Sequence, residues 1–303
     1  MAIIPFEQAE FNLVGFSEAY NDIFDSTPKD VSIQLKDSNG NIYTKTVANR
    51  GKFQKQVWDD VGGALGQFKR TFYVNATNGD DNNDGSSANP FKTIKKACDS
   101  VPVGGHGSIW LAQNQTYFID SDIYLYNKNI IIYATNSIIE NTTYIFTYNG
   151  TDYTATYGFL PIMSRMMFLY GTIRTANLLT DNSGSVIPTF VVQGIIKRDD
   201  HVRAFVQTYG TNIELGDTDF IRRSSGGNTV DLFMLSGSVN RIGANQDSYL
   251  IRNDRGDFRF STAGVSLGTE RDGTTNLTWN SIISGIIKDA NGVPRNIISN
   301  IVF

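Results

Sequence analysis

The chain has 303 residues, a formal net charge of −4, 40% hydrophobic and 18% charged residues. That length allows one large or two smaller domains, and with no basic run beyond Lys95-Lys96 and Arg222-Arg223 the charge balance argues against nucleic-acid binding. A single cysteine excludes an intrachain disulfide and, with two histidines, leaves little material for a zinc site, while 28 Gly and 12% aromatic residues describe a β-rich chain.

The N-terminus carries Pro5, Glu7 and Glu10 where a secretory leader needs a basic stretch and then an apolar one. No apolar run approaches the ~20 residues of a membrane helix. The chain is therefore expected to be made in a cytoplasm, with no membrane insertion. Residues 1–48 read as a small attachment region. Val31-Ser32-Ile33-Gln34-Leu35 alternates as a half-buried strand does, residues 36–41 are rich in turn formers, and 42–47 form the return strand. Residues 49–70 read as a helical neck, with the helix over 50–68. Phe53, Val57, Val61, Ala64 or Leu65, and Phe68 recur at spacings of three and four, and Val57, Val61, Ala64 and Phe68 follow the step of a short coiled-coil seam. Gly62-Gly63 weakens that helix by about 1 kcal/mol per glycine, so it must pack on its own chain or on symmetry copies.

Residues 72–101 are the most telling. Phe72-Tyr73-Val74 is a short strand, and Asn78-Gly79 and Asp84-Gly85 are turns. Asn89 is expected to cap a helix, with Pro90 in its first position. Phe91, Ile94, Ala97, Cys98 and Val101 then share one face, and Lys92, Lys95, Lys96 and Asp99 point away. Cys98 reads as a buried structural thiol. A helix with one apolar face must lie on an apolar surface, and the open end of a strand stack is one. The run Gly79-Asp80-Asp81-Asn82-Asn83-Asp84-Gly85, then Ser86-Ser87 and Pro90-Phe91-Lys92-Thr93-Ile94, resembles the start of the right-handed parallel β-helix in tailed-phage tail spikes and tail fibres. The resemblance implies an all-β fold, a short pectin-lyase-like solenoid, and a homotrimer on a virion whose N-terminal regions join other tail or baseplate proteins. That group holds both glycan-cleaving spikes and inert fibres, so the motif marks a fold rather than a chemistry.

Beyond residue 101, short strands recur between polar turns: 108–111, 123–126, 130–133, 167–170, 190–192, 204–206 and 232–235. They assign 71–240 to the parallel β-helix. Phe168-Leu169-Tyr170-Gly171-Thr172-Ile173 and Phe233-Met234-Leu235-Ser236-Gly237-Ser238-Val239 look alike, but the period is uneven, and an irregular β-sandwich is the competing architecture. Residues 141–166 break the pattern, with Asn149-Gly150 at the tip of a protruding hairpin. Rungs are expected to stop near 240. Residues 241–303 then form a C-terminal cap and trimerisation tip, whose apolar end Ile301, Val302 and Phe303 docks on a trimer seam or on the last rung.

No catalytic, cofactor or metal residue is assigned. The acidic loop 80–85 lacks the ligand spacing of a calcium loop and reads as a solvated turn. A glycan-cleaving spike needs two carboxylates at a defined distance. Asp199, Asp200, Glu214, Asp217, Asp219 and Asp231 are available, and the sequence pairs none of them. His106 reads as part of the glycine-rich turn 103–107 and His201 as a surface residue, and the Asn-x-Thr triplets at Asn75, Asn114, Asn141, Asn149 and Asn276 read as Thr-rich β sequence. Tyr144, Phe146, Tyr148, Tyr153, Tyr157 and Phe159 are the binding candidates, because exposed rings stack on sugars or anchor a protein partner. Their alternative role is to pack the hairpin or the trimer seam. Val57, Val61, Ala64, Phe68, Ile301, Val302 and Phe303 are the seam candidates. The reading taken is a trimeric virion structural protein, a phage tail fibre or short tail spike subunit. It would contact a host surface glycan or protein. A polysaccharide hydrolase or lyase spike and a purely architectural head or tail fibre are the alternatives.

Overall fold

A computed structural model describes residues 12–14, 27, 29–36, 40–49, 52, 69–188, 194–198, 204–223, 230–244, 247–254 and 256–303. The chain divides into two compact units, 1–67 and 68–303. In the first, β1 (Asn12–Val14), β2 (Asp30–Lys36) and β3 (Ile42–Ala48) form an antiparallel sheet in chain order. The expected hairpin is there, with Val31 opposite Val47. Asn49 closes it: its buried amide accepts from the Lys29 and Lys52 N–H groups and donates to the Thr27 carbonyl. The strand β1 is too short to show a period in the sequence. Of the helix expected over 50–68 only Lys52 is described; Val57, Val61, Ala64 and Phe68 lie outside the described residues, as do Phe190-Val191-Val192.

The second unit is mostly β, built from long parallel sheets. It starts with β4 (Lys69–Val74), the helix α1 (Ile94–Asp99), β5 (His106–Leu111) and β6 (Thr116–Ile119). One circuit then runs β7 (Ile123–Tyr126), β8 (Asn129–Tyr133), β9 (Ile138–Asn141). After the antiparallel hairpin β10 (Thr143–Tyr148) and β11 (Thr151–Thr156), the chain lays down β12 (Phe159–Ile162), β13 (Arg165–Leu169) and β14 (Thr172–Arg174). Later circuits hold β15 (Ile196–Arg198) and β16 (Ala204–Leu215), then β17 (Ile221–Arg223) and β18 (Val230–Arg241). These are followed by β19 (Ile251–Asn253) and β20 (Phe258–Leu267), then α2 (Trp279–Ile282), β21 (Ile283–Ser284) and β22 (Ile297–Ser299). The first strands of the circuits stack in a six-stranded sheet, β21-β19-β17-β15-β12-β7. The next stack in an eleven-stranded sheet along β22-β20-β18-β16-β13-β8-β5-β4, with β6, β9 and β14 as its branch against the second half of β16. This is compatible with a β-solenoid, and the parallel pairing excludes the antiparallel sandwich.

Alternation sets which side chains stack inside. Ile123, Phe159, Ile196, Ile221, Ile251 and Ile283 are in register down the six-stranded sheet, and all are buried. Ile130, Met166, Val206, Leu232 and Phe260 do the same in the larger sheet, and Ile139, Ile173, Ile213 and Val239 in the branch. Burial of each large apolar side chain contributes roughly 1.5–3 kcal/mol, and the ladders make that gain continuous along the stack. Thr208 interrupts a further ladder, Ile132, Phe168 and Met234: it sits fully buried between Phe168 and Met234, and its hydroxyl has no hydrogen-bond partner. An unsatisfied buried hydroxyl costs about 1–3 kcal/mol. Thr208→Val, nearly the same shape, is expected to raise the unfolding midpoint in urea, and a lowered midpoint would mean that the hydroxyl is satisfied.

Three expectations are corrected. The helix does not start at Asn89-Pro90. Phe91 is held extended by a parallel bridge to Val74, its N–H donating to Tyr73 and its carbonyl accepting from Asn75. Thr93 caps α1 instead, its hydroxyl accepting from the Lys96 N–H. Asp81 secures that start by accepting from the Lys92 and Thr93 N–H groups and the Thr93 hydroxyl at 2.8–2.9 Å. So one carboxylate of the acidic loop positions the cap helix, while Asp80 and Asp84 bond their own turn. Ile94, Ala97 and Cys98 are buried beneath α1, and burial pushes the Cys98 thiol up to about 12. Lys128, itself buried, donates to the Cys98 carbonyl at 2.9 Å, at the negative end of the helix.

Secondly, the stacking does not stop near 240. β18 pairs with β20 and β20 with β22, so parallel strands continue to Ser299. Phe258 and Phe260 are buried on either side of exposed Arg259, the same alternation that built the earlier strands. Thirdly, Phe159 belongs to the core ladder and not to an exposed aromatic group, because its register with Ile123 and Ile196 turns it inward.

The two look-alike segments are equivalent, offset by one residue from the naive match. Register through β16 aligns Phe168 with Met234, Leu169 with Leu235 and Ile173 with Val239. Each bends at a non-glycine residue with left-handed backbone, Tyr170 (φ 62°) and Ser236 (φ 56°), followed by a glycine, Gly171 or Gly237.

Candidate functional site

The candidate binding residues form one strip on the hairpin. Register opposes Phe146 to Tyr153, Tyr144 to Ala155 and Tyr148 to Thr151, so Tyr144, Phe146, Tyr148 and Tyr153 share a face. Tyr157 joins them by stacking on Tyr144 at 4.5 Å; Tyr144 to Phe146 is 6.4 Å and Phe146 to Tyr153 is 5.8 Å. The Asn149-Gly150 turn ends the hairpin with both residues at positive φ, and Tyr148 beside it is 52% exposed. Burial raises the Tyr144 hydroxyl above its usual range, and nearby Asp122, Tyr157 and Tyr124 add to the shift. The strip therefore packs partly on itself, while its tip and the neighbouring Tyr124 and Tyr126 of β7 stay open.

Other outward rings went unnoticed in the sequence. Trp110 and Tyr133 lie on adjacent strands and stack flat, 3.9 Å apart and 2° from parallel. They continue a row through Tyr73, Leu169, Tyr209 and Leu235 on the outer side of the larger sheet. A period-two reading of Ile109-Trp110-Leu111 would have marked Trp110 as outward.

The described acids of this region each face a cation or a backbone N–H. Glu214 shares the Arg174 guanidinium with Glu140, at 2.7 and 3.4 Å. Both carboxylates lie next to Arg174 in register, on opposite sides. Asp219 is buried, bound to Arg252 at 2.8 Å, Arg222 at 3.3 Å and the Tyr249 N–H at 2.9 Å. Burial raises its pKa, against the opposing pull of the two arginines. Asp217 accepts from the Leu178 N–H, and Asp231 is buried 3.9 Å from Arg259. Asp199, Asp200 and His201 lie outside the described residues. His106 is not a turn residue: it opens β5 beside Lys69 and Asn129. At the C-terminus, Ile301 and Phe303 pack on the chain's own core, and Val302 is 95% exposed.

Among the described residues there is no cluster of three metal-binding side chains, and no helix long and apolar enough to cross a membrane. No protein-family model, no curated protein and no solved structure matches this chain.

Proposed function

We propose that this chain is a subunit of a tailed-phage tail fibre or short tail spike, folded as a right-handed parallel β-helix and assembled as a homotrimer. The parallel topology carries the reading: strands are laid down in turn on stacked sheets, and the stack is entered through an Asp-rich loop and an apolar-faced helix. Parallel crossovers are right-handed in about 98% of cases. The outward row of Tyr133, Leu169, Tyr209 and Leu235 supports association, since a contiguous apolar patch marks a contact surface. In this reading the N-terminal unit joins the virion, Val302 and the neck seam contribute to the trimer, and the hairpin strip touches a host glycan or protein. Engagement of Glu140 and Glu214 by Arg174 supports a structural role on the virion.

Light scattering on the purified protein, run beside a turnover assay on host surface polysaccharide, tests this. The expected result is three chains per particle and no cleavage. A monomer at micromolar concentration would remove the trimer, and depolymerisation would make the protein a spike enzyme with Glu140 and Glu214 as first targets.

A further inference from the structure

The corner between the larger sheet and its branch holds a cleft of about 580 Å3, within the range of small-molecule sites, about 300–1,000 Å3. The corner between β8 and β9 spans residues 134–137 and supplies one wall, with Asn136 exposed at φ 55°. The tighter corner at Tyr170-Gly171 supplies the other. The Tyr170 ring lies along Gly210, where a Cβ would come within 3.0 Å of it, so the absence of a side chain there makes room for the ring. Tyr170 is 44% exposed and meets Tyr209 edge to face at 5.7 Å. Thr172 and Asn212, in register on adjacent strands, complete the polar lining.

The chemistry of this lining is specific. No charged side chain lines the cleft among the described residues. The nearest cation along β14, Arg174, is engaged by Glu140 and Glu214, so an anionic ligand finds no counter-charge. Ser238 donates to the Asn212 carbonyl oxygen at 2.9 Å, so the amide's Nδ2 is its remaining donor. One flat ring beside amide and hydroxyl groups suits a ligand with an apolar face and a rim of hydroxyls. We infer that this cleft binds an uncharged pyranose, with the sugar's C–H face on Tyr170 and its hydroxyls on Asn136, Thr172 and Asn212. Binding there requires neither a trimer nor a virion, and the site is separate from the hairpin strip.

The test is titration of the full chain with methyl α-glucopyranoside, methyl β-galactopyranoside and maltotriose, with methyl glucuronide as the anionic counterpart. Saturation-transfer NMR and calorimetry provide the readout. At least one neutral sugar is expected to bind and the glucuronide not to. Tyr170→Gly removes the ring at a backbone angle that glycine prefers, and is expected to weaken binding about tenfold. Asn212→Asp, at an exposed position, replaces the donor with a charged acceptor and is expected to weaken it as well. Val103→Ala, at an exposed position away from the cleft and the hairpin, is expected to leave binding unchanged. Equal binding by wild type, Tyr170→Gly and Asn212→Asp would overturn the site. So would equal binding of the glucuronide, or no binding of any neutral sugar at millimolar concentration. A monomeric protein that still bound the neutral sugar through Tyr170 would sink the fibre reading and leave the cleft intact.

Discussion

Arg241→Met is expected to cost about 3–5 kcal/mol of stability, the range for breaking a buried ion pair by removing one partner. Arg241 ends β18 and is 3% exposed. Its Nη1 donates to both Glu270 oxygens at 2.7 and 2.8 Å, and its Nη2 to the Ser248 and Ser281 carbonyls at 2.8 and 2.9 Å. One side chain thus ties the turn after β18 and the segment leading through α2 to the strand stack. Methionine fills much of the volume but leaves a carboxylate and two carbonyls without their donor. Urea unfolding measures the loss. Glu270→Gln keeps an acceptor for the guanidinium and should cost less. A loss for Arg241→Met below about 1 kcal/mol, the level of an exposed pair, would mean that water replaces the arginine.

Gly171→Ala and Gly237→Ala are the second expected large effect. Gly171 has φ 75°, and a Cβ there would lie 2.0 Å from the Ala134 carbonyl oxygen, on the preceding circuit. Gly237 has φ 104°, with a Cβ 2.1 Å from the Thr211 oxygen. A non-glycine residue in such a conformation costs of order 1–3 kcal/mol, and the carbonyls must also move. Gly150 gives the reference: its φ is 76° and nothing lies within 4 Å of the place a Cβ would take, so Gly150→Ala carries the backbone cost alone, roughly 1–2 kcal/mol. Calorimetric midpoints should fall at least twice as far for the corner variants as for Gly150→Ala. An equal fall would show that the stacked corners spread without penalty.

Those corners show what was legible. Tyr170-Gly171 and Ser236-Gly237 are visible in the sequence as similar segments, but which residue of one lies over which of the other is set by β16 between them. Ile123-Tyr124-Leu125-Tyr126 was readable with its faces, because alternation is local: Ile123 and Leu125 are buried, Tyr124 and Tyr126 exposed. Phe159 was misplaced because it follows the hairpin aromatics directly in the chain, yet its face is decided by Ile123 and Ile196 on other circuits. The Asn89-Pro90 pair is a sound local helix start that lost to backbone pairing, since Phe91 completes hydrogen bonds to both Tyr73 and Asn75. The ion-paired row Glu140, Arg174, Glu214 left no trace in the sequence, as its members come from three circuits separated by loops of unequal length.

The amino-acid order alone determined the β-rich character, the alternation of each strand, the hairpin tip at Asn149-Gly150 and the apolar face of the cap helix. These depend on side-chain period and backbone preference within a few residues. Tertiary structure alone decided which strands lie side by side, the inward turn of Phe159, the bridging of Glu140 and Glu214 by Arg174, and the cleft at Tyr170. Parallel neighbours meet only after a long crossover, so their register is a property of the whole stack and of no single segment.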